Sequence, residues 1–363
     1  MKPVAEILAT NWSKANSATV TKVSLVRPIN VVWATFAFAI SLTEEETFAT
    51  DLAKLFVTDA AAYMTSRPDG YESKHKLLSF VNSSGQIVHE MTAPKDFGTL
   101  KFSPDGTHIL ARTSSDYMVI GKEGMVATVH FDKLPRFLWQ DKNVIFYDYD
   151  QPLSQWSPDS SAKWNLSKIS ENTYSSLHFD GKLFWGTSFD KATKQHSIVN
   201  ISSEGKPLSR FPIGIYSRDI ALKLPGTPFL FTVGLTSGGD GFGPVSKFSY
   251  MNTETSKEVL ISQTMEGPDL LWFSKLGLVG YLERQQNSKS ALMLFSTSNG
   301  RSSQFSQIQF FSGSCAQLDE KSALVIGNFK DIYLANIETG KFTKLKFPKI
   351  TDVSSCDSLG RYR

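Results

Sequence analysis

Apolar positions in this chain come in runs of about five to eight residues, rich in Val, Ile, Phe, Tyr and Leu, and cut by Gly, Asn, Asp or Ser. Runs of that length with those breakers predict strands joined by tight turns, since a helix would hold a 3.6-residue period over a longer window. Two elements recur. The first is a strand, a short turn and a second strand, read in "LKFSPDGTHILAR", "FLWQDKNVIFYDY", "LHFDGKLFWGTSF", "ALKLPGTPFLFTV", "LWFSKLGLVGYLE" and "AQLDEKSALVIGNF". Their turn anchors are Asp105, Asp141, Asp180, Pro225, Lys275 and Asp319, spaced 36 to 50 residues apart. The second is a polar-tipped hairpin, read in "LLSFVNSSGQIVHE", "YMVIGKEGMVATV", a degenerate "AKWNLSKI", "SIVNISSEGKPLSRF", "KFSYMNTETSKEVLI", "LMLFSTSNGRSSQF" and "IYLANIETGKFTKL".

Call the four strands of one repeat A, B, C and D. The B strands ("VIFYDY", "FLFTVGL", "ALVIG") are apolar at nearly every position, as in strands buried on both faces. The C and D strands alternate more. A four-stranded unit of about 40–45 residues repeated along a chain is the signature of a propeller blade. Seven hairpins against six internal A–B turns leave one blade lacking its strand A. "VSSCDSLGRYR" (Val353 to Arg363) matches "SGSCAQLDEKS" (Ser312 to Ser322) and reads as a strand A with no strand B after it. The expected fold is therefore all-β: a seven-bladed β-propeller closed by pairing of N- and C-terminal segments, with a short N-terminal helical appendage. A competing strand A at Thr47–Phe56 is disfavoured. Its apolar spacing (Phe48, Leu52, Leu55, Phe56) is helical, and Thr43 followed by Glu44, Glu45 and Glu46 resembles a helix start. That predicts a helix over 43–57, and domains of 1–44 (appendage) and 45–363 (propeller).

"FSPDGTHILAR" resembles the Ser-Pro-Asp-Gly turn of TolB-type and WD-repeat-like β-propellers. "WSPDSSAKW" keeps Ser-Pro-Asp without the glycine and sits at a C–D position, and the Gly-His and Trp-Asp dipeptides of true WD repeats are absent. The resemblance covers the architecture over roughly residues 45–363 and implies no active site.

Composition changes this picture little. The chain is 41% hydrophobic and 20% charged, with 26 Phe, as suits a β-rich interior. A net charge of +3, with the charges interspersed, gives no reason to expect nucleic acid. The apolar stretch "INVVWATFAFAISL" (29–42) is shorter than the roughly 20 residues a membrane span needs. It has two readings: a buried segment in a cytoplasmic protein, or a signal-like segment of an exported one, with Ala37-Phe38-Ala39 as a small-x-small site. Cys315 and Cys356 occupy equivalent positions on neighbouring inner strands, usually farther apart than a disulfide tolerates, which predicts two buried thiols; the alternative is a ring-locking disulfide.

Candidate chemistry is sparse. The Gly-x-Ser-x-Gly elbow of the hydrolases that accompany some propellers does not occur. The six histidines, His75, His89, His108, His130, His178 and His196, form no metal-binding spacing. Asp148 and Asp150 in "YDYDQ" are an oxygen-rich pair of the kind that can hold calcium, or a solvated turn. The most unusual loop is "GLTSGGDGFGPVS" (Gly234 to Ser246), a long B–C connection in which Gly239, Asp240 and Phe242 are the candidate partner-contact residues. The expectation is a non-catalytic, monomeric scaffold for a protein or peptide partner, with no cofactor, metal or nucleic acid. The alternatives are a ligand binder or lyase-, lactonase- or glycosidase-like propeller enzyme with its site in the central channel, and an exported TolB-like accessory protein.

Overall fold

The computed structural model describes residues 44–68, 75–158, 166–214, 218–236, 245–285, 289–309, 314–327, 331–347, 350 and 353–360. All of them belong to one compact unit, Leu42–Arg363. Strands dominate, in five four-stranded antiparallel sheets and one seven-stranded sheet.

The first sheet runs β27 (Val353–Ser358), β1 (Ala62–Ser66), β2 (His75–Val81), β3 (Ile87–Pro94). The C-terminal strand is thus its first member, with Ala62 opposite Ser358 and Met64 opposite Cys356. The second sheet is β4 (Thr99–Phe102), β5 (Ile109–Arg112), β6 (Asp116–Gly121) and β7 (Gly124–His130). The third is β8 (Arg136–Gln140), β9 (Asn143–Tyr147), β10 (Leu153–Trp156) and β11 (Ser167–Ser170). The fourth is β12 (Ser176–Phe179), β13 (Phe184–Asp190), β14 (Gln195–Ile201) and β15 (Pro207–Gly214). The seven-stranded sheet follows, with β16 (Arg218–Lys223), β17 (Phe229–Thr236), β18 (Val245–Asn252), β19 (Lys257–Phe273), β20 (Leu278–Gln285), β21 (Lys289–Ser296) and β22 (Arg301–Gln309). The last sheet is β23 (Ser314–Gln317), β24 (Ser322–Gly327), β25 (Asp331–Asn336) and β26 (Lys341–Leu345).

All six turn anchors fall between the first two strands of a repeat, and six of the hairpins fall between its last two; of the degenerate "AKWNLSKI", residues 162–165 lie outside the described residues. The seven-stranded sheet is a departure from separate units. Its β19 is one 17-residue strand, outer partner of β18 over its first half and inner partner of β20 over its second. The D–A connection between these two repeats is extended backbone, with the register shift between Glu266 and Leu271 marking where they meet.

The turns explain why three of the anchors are aspartates. Asp105 Oδ1 accepts bonds from Ser103 Oγ (2.6 Å) and Thr107 N (3.0 Å), while Gly106 takes φ +70°. Asp180 Oδ1 accepts from Lys182 N (3.0 Å) and Leu183 N (2.8 Å), and Asp319 Oδ1 from Lys321 N (2.8 Å) and Ser322 N (2.7 Å). A carboxylate bonded to backbone donors two or three residues on closes the turn locally. Three of the C–D hairpins use asparagine the same way: Asn82, Asn252 and Asn336 accept from Ser84, Glu254 and Thr339 amides at 3.1, 2.9 and 2.9 Å. Gly205 is the least replaceable turn residue. It takes φ +80°, and an added Cβ would lie 2.5 Å from Ile169 Cγ2 and 2.8 Å from the Ile169 carbonyl oxygen. Gly205→Ala should cost about 2–4 kcal/mol from left-handed strain plus overpacking, read from the urea midpoint; an unchanged midpoint would refute this contact.

Sheets pack face to face through apolar layers. On β24 every residue is buried, with Leu324 and Ile326 facing the layer shared with Met64, Val81 and Cys356, and Ala323 and Val325 facing the layer shared with Leu271, Phe273 and Leu292. Alternate side chains thus serve opposite faces of one strand, as a sheet stacked between two others requires. The cysteines follow from the same geometry. Cys356 lies in the first of these layers and Cys315 in the second, so sheet β23–β26 stands between them, and both are buried thiols.

The helix expected over 43–57 is present as α1 (Glu44–Ala53), continued by a 3-10 turn, Lys54–Val57. Glu44, Glu45 and Glu46 occupy its first turn, where carboxylates complement the helix dipole. Thr58 ends it, with both its amide and its hydroxyl donating to Leu55 O (3.1 and 3.0 Å). Phe48, Ala49, Leu52 and Leu55 enter the layer between the first two sheets, beside Phe80, Met91, Phe97, Phe102 and Met118. The helix is a wedge in the core. Among the described residues no helix is long and apolar enough to cross a membrane.

Candidate functional site

The first strands of adjacent repeats run side by side, and polar side chains tie them across the sheets. Lys101 on β4 reaches β27: its Nζ lies 2.5 Å from Asp357 Oδ1 and 2.6 Å from Ser358 O, and Thr99 Oγ1 donates to Asp357 Oδ2 at 3.2 Å. Behind them the buried Tyr63 hydroxyl accepts from Leu100 N at 3.2 Å. Burial first, and the Asp357 charge second, push its ionisation far above the ordinary tyrosine value, so it stays a neutral hydrogen-bonding group. Arg136 on β8 donates from Nη1 to Ser175 O (2.9 Å) and lies 3.6 Å from Asp219 Oδ2 on β16. Ser176 on β12 donates to Thr187 Oγ1 (3.0 Å) and accepts Ile220 N (2.9 Å). Gln317 on β23 accepts Trp272 N (3.0 Å) and donates to Trp272 O (2.7 Å). Lys101 and Arg136 of this seam thus each meet an opposite charge and a backbone carbonyl.

A second polar group seals the layer between β13 and β16. Trp185 Nε1 donates to Asp180 Oδ2 at 2.9 Å, and Lys223 Nζ sits 5.2 Å from the Trp185 ring centroid. Lys223 is buried and donates to Leu224 O (3.0 Å) and Thr227 O (2.5 Å). Two of its donors thus meet backbone carbonyls, and its charge lies over the Trp185 ring. Burial alone would raise the Asp180 pKa. The bonds from Leu183 N, Trp185 Nε1 and Lys182 N, with the Lys223 charge, outweigh it and hold the carboxyl below the usual range. Asp180 therefore contributes stability that is complete above its unfolded pKa of about 3.9 and is lost as pH falls through its lower folded value. Asp180→Asn should lower the urea midpoint at neutral pH and flatten its fall below about pH 4. Midpoint profiles that run parallel down to acid pH would exclude this role.

The sequence-derived candidates stay apart. His75, His89, His130, His178 and His196 lie on β2, β3, β7, β12 and β14, and His108 in the β4–β5 turn. His130 Nδ1 pairs with Asp116 Oδ1 at 3.1 Å, His108 Nδ1 meets Thr107 Oγ1 at 2.8 Å, and His89 and His196 lie against the Phe80 and Phe189 rings at 5.8 and 4.7 Å. Among the described residues no three His, Cys, Asp or Glu side chains gather as a metal-binding group. The calcium reading of Asp148 and Asp150 meets a specific obstacle. Lys133 Nζ pairs with the Asp150 carboxylate, lies 4.0 Å from Asp148 Oδ2, and sits 4.3 Å from the Tyr149 ring centroid. An ammonium already stands where a cation would bind. Of the tryptophans, Trp156 and Trp185 are buried core, Trp139 and Trp272 are half-buried beside it, and Trp164 lies outside the described residues. Gly239, Asp240 and Phe242 also lie outside the described residues. The cross-sheet ties escaped sequence reasoning, because Lys101 and Asp357 are 256 residues apart and share no motif.

No family model matches the chain, and no curated protein matches it. Solved structures do. AztD from Citrobacter koseri superposes with a TM-score of 0.52 at 9% identity, over 83% of this chain and 98% of that one. An oligogalacturonate lyase from Vibrio parahaemolyticus gives 0.50 at 9% identity, over 79% and 86%. The WD40 repeats of RRP9 give 0.46 at 12% identity, over 73% and 85%. At such identities the likeness speaks to fold alone: the described residues form several four-stranded sheets in a propeller-like architecture.

Proposed function

We propose that the chain is a seven-bladed propeller, closed by the pairing of β27 with β1, and that it serves as a non-catalytic scaffold for a protein or peptide partner. Counting β19 once in each of two blades makes seven four-stranded units. The observation that carries the functional reading is the state of the inner-strand charges. Lys101 and Asp357, and Arg136 and Asp219, are spent on one another across the sheets. A propeller enzyme instead needs like donors from several blades aimed at one centre. We assign partner contact to the Gly-rich B–C connection between β17 and β18, with Phe242 as its aromatic anchor.

Affinity capture of the native protein, followed by reconstitution with the purified partner, tests this. The scaffold reading expects a stoichiometric complex that Phe242→Ala weakens about tenfold or more. Turnover of an oligosaccharide or lactone by the purified protein would overturn it. The same capture reports the N-terminus: intact Met1 supports a cytoplasmic protein with residues 1–44 as an appendage, and a start near Ile40 supports export.

A further inference from the structure

Ring closure removes the free edges of the inner strands but leaves the outer strand of each repeat open, and an open edge is a template for further pairing. In this chain the outer strands are protected unequally. The strand β3 carries Glu90, ends in Pro94 and packs against α1. The strand β7 has no proline, lysine or carboxylate, and it too lies against α1. β11 is four residues with Lys168, β15 carries Pro207, Arg210 and Pro212, and β26 is five residues with Lys341 and Lys344. The outer half of β19 begins with Lys257 and Glu258. The strand β22 differs from all of these. It is nine residues, RSSQFSQIQ, with no proline, lysine or carboxylate, and it forms the edge of the seven-stranded sheet. Ser302, Ser303 and Gln304 are exposed. A single bulge places Phe305 as an extra residue between Gln304 and Ser306, and its ring packs inward at 6.3 Å from Phe342.

We propose that β22 pairs antiparallel with β22 of a second copy of this chain, giving a two-fold dimer. The occupant follows from the charge pattern. Antiparallel self-pairing about a two-fold sets each residue against one the same distance beyond the centre. With the axis at Phe305, Arg301 stands opposite Gln309 and Gln304 opposite Ser306. Only an axis through Arg301 itself would set guanidinium against guanidinium. The same operation about the middle of β26 sets the Lys344 residues of the two copies as diagonal neighbours on one face, and on β15 the prolines remove ladder donors. A nine-residue strand is about 30 Å long, and one added ladder buries well under the roughly 1,000 Å² of a stable interface. The dimer is therefore weak and concentration-dependent, and it is separate from partner binding through the Gly-rich loop.

Sedimentation equilibrium of the full-length protein from about 1 to about 300 µM tests it. The mass should rise from the 40.3 kDa of one chain towards twice that value. Ser303→Lys combined with Gln304→Lys should raise the dissociation constant about tenfold or more, by setting like charges on a shared edge. Thr343→Lys on the β26 edge should leave it unchanged, and matching melting curves would show that all three proteins are folded. A monomer at the highest concentration overturns the proposal. So does a dimer indifferent to the two lysines, or slow amide exchange along β22 in dilute monomer, which would place another segment of this chain on the edge.

Discussion

Truncation after residue 352 should abolish the cooperative unfolding transition of this protein. The removed segment is only eleven residues, but β27 is the first strand of the first sheet and lies in its ladder from Ala62↔Ser358 to Ser66↔Val353. Its backbone also reaches beyond that sheet: Leu359 N donates to Ala61 O (2.9 Å), and Leu359 O accepts Phe102 N (2.8 Å) from β4. Val353, Cys356 and Leu359 are 1%, 6% and 0% exposed. Each such side chain stabilises by about 1.5–3 kcal/mol, and the ladder donors left behind add desolvation cost. Together these rival the 5–15 kcal/mol by which a typical domain is stable. Asp357→Asn is the contrasting variant. Its partner Lys101 is about a third exposed and keeps its bond to Ser358 O, so a loss of about 0–1 kcal/mol is expected. Thermal melts followed by circular dichroism decide between them, and adding the 353–363 peptide in trans should restore a transition to the truncated chain. A truncated protein that melts within about two degrees of the full chain would show that β27 contributes no more than a surface strand.

The parts of this fold that were legible are those whose cause is local. An aspartate two or three residues before the amides it binds leaves a mark at Asp105, Asp180 and Asp319 that can be read from neighbours alone. A strand buried on both faces, such as β24, is apolar throughout whatever packs on it. Even the C-terminal strand could be recognised, because Cys356 sits where Cys315 does and both fill equivalent interior positions. What was not legible depends on residues distant in the chain. Lys101 and Asp357 look like ordinary solvated charges until β27 is placed beside β4. Asp148 and Asp150 look like cation ligands until Lys133, from the preceding connection, is brought between them. The fusion of two repeats through β19 had no marker either, since a D–A connection of extended backbone and a short loop need the same kinds of residue. The candidate site suffers most from this, because a propeller assembles its inner seam from one or two residues of each repeat.

The second large effect should come from Leu52, in the segment the sequence marks as an appendage to the strands. Leu52 is fully buried, and its helix neighbours Phe48 and Leu55 are 4% and 0% exposed. Phe48 meets Phe97 edge-on at 5.9 Å, and Phe56 meets Phe102 at 5.3 Å. The layer that receives them is built from both of the first two sheets, so α1 fills space that no strand fills. Leu52→Ala should therefore cost about 2–5 kcal/mol, the range for a core leucine whose surroundings cannot collapse onto the cavity. Leu52→Asp should prevent folding, since a carboxylate would be buried there without a partner. Thr50 provides the control on the same helix: its hydroxyl donates only to Glu46 O (2.7 Å) on the exposed side, and Thr50→Ala should stay within about 0.5 kcal/mol. Were α1 a detachable arm, both leucine variants would keep the wild-type midpoint, and hydrogen exchange would slow only in the helix when it docks. As a wedge, its loss must instead speed exchange in β3, β4 and β6, because Met91, Leu100 and Met118 lose the side chains that exclude water from them. The strand repeat alone then does not define the folding unit, which includes α1.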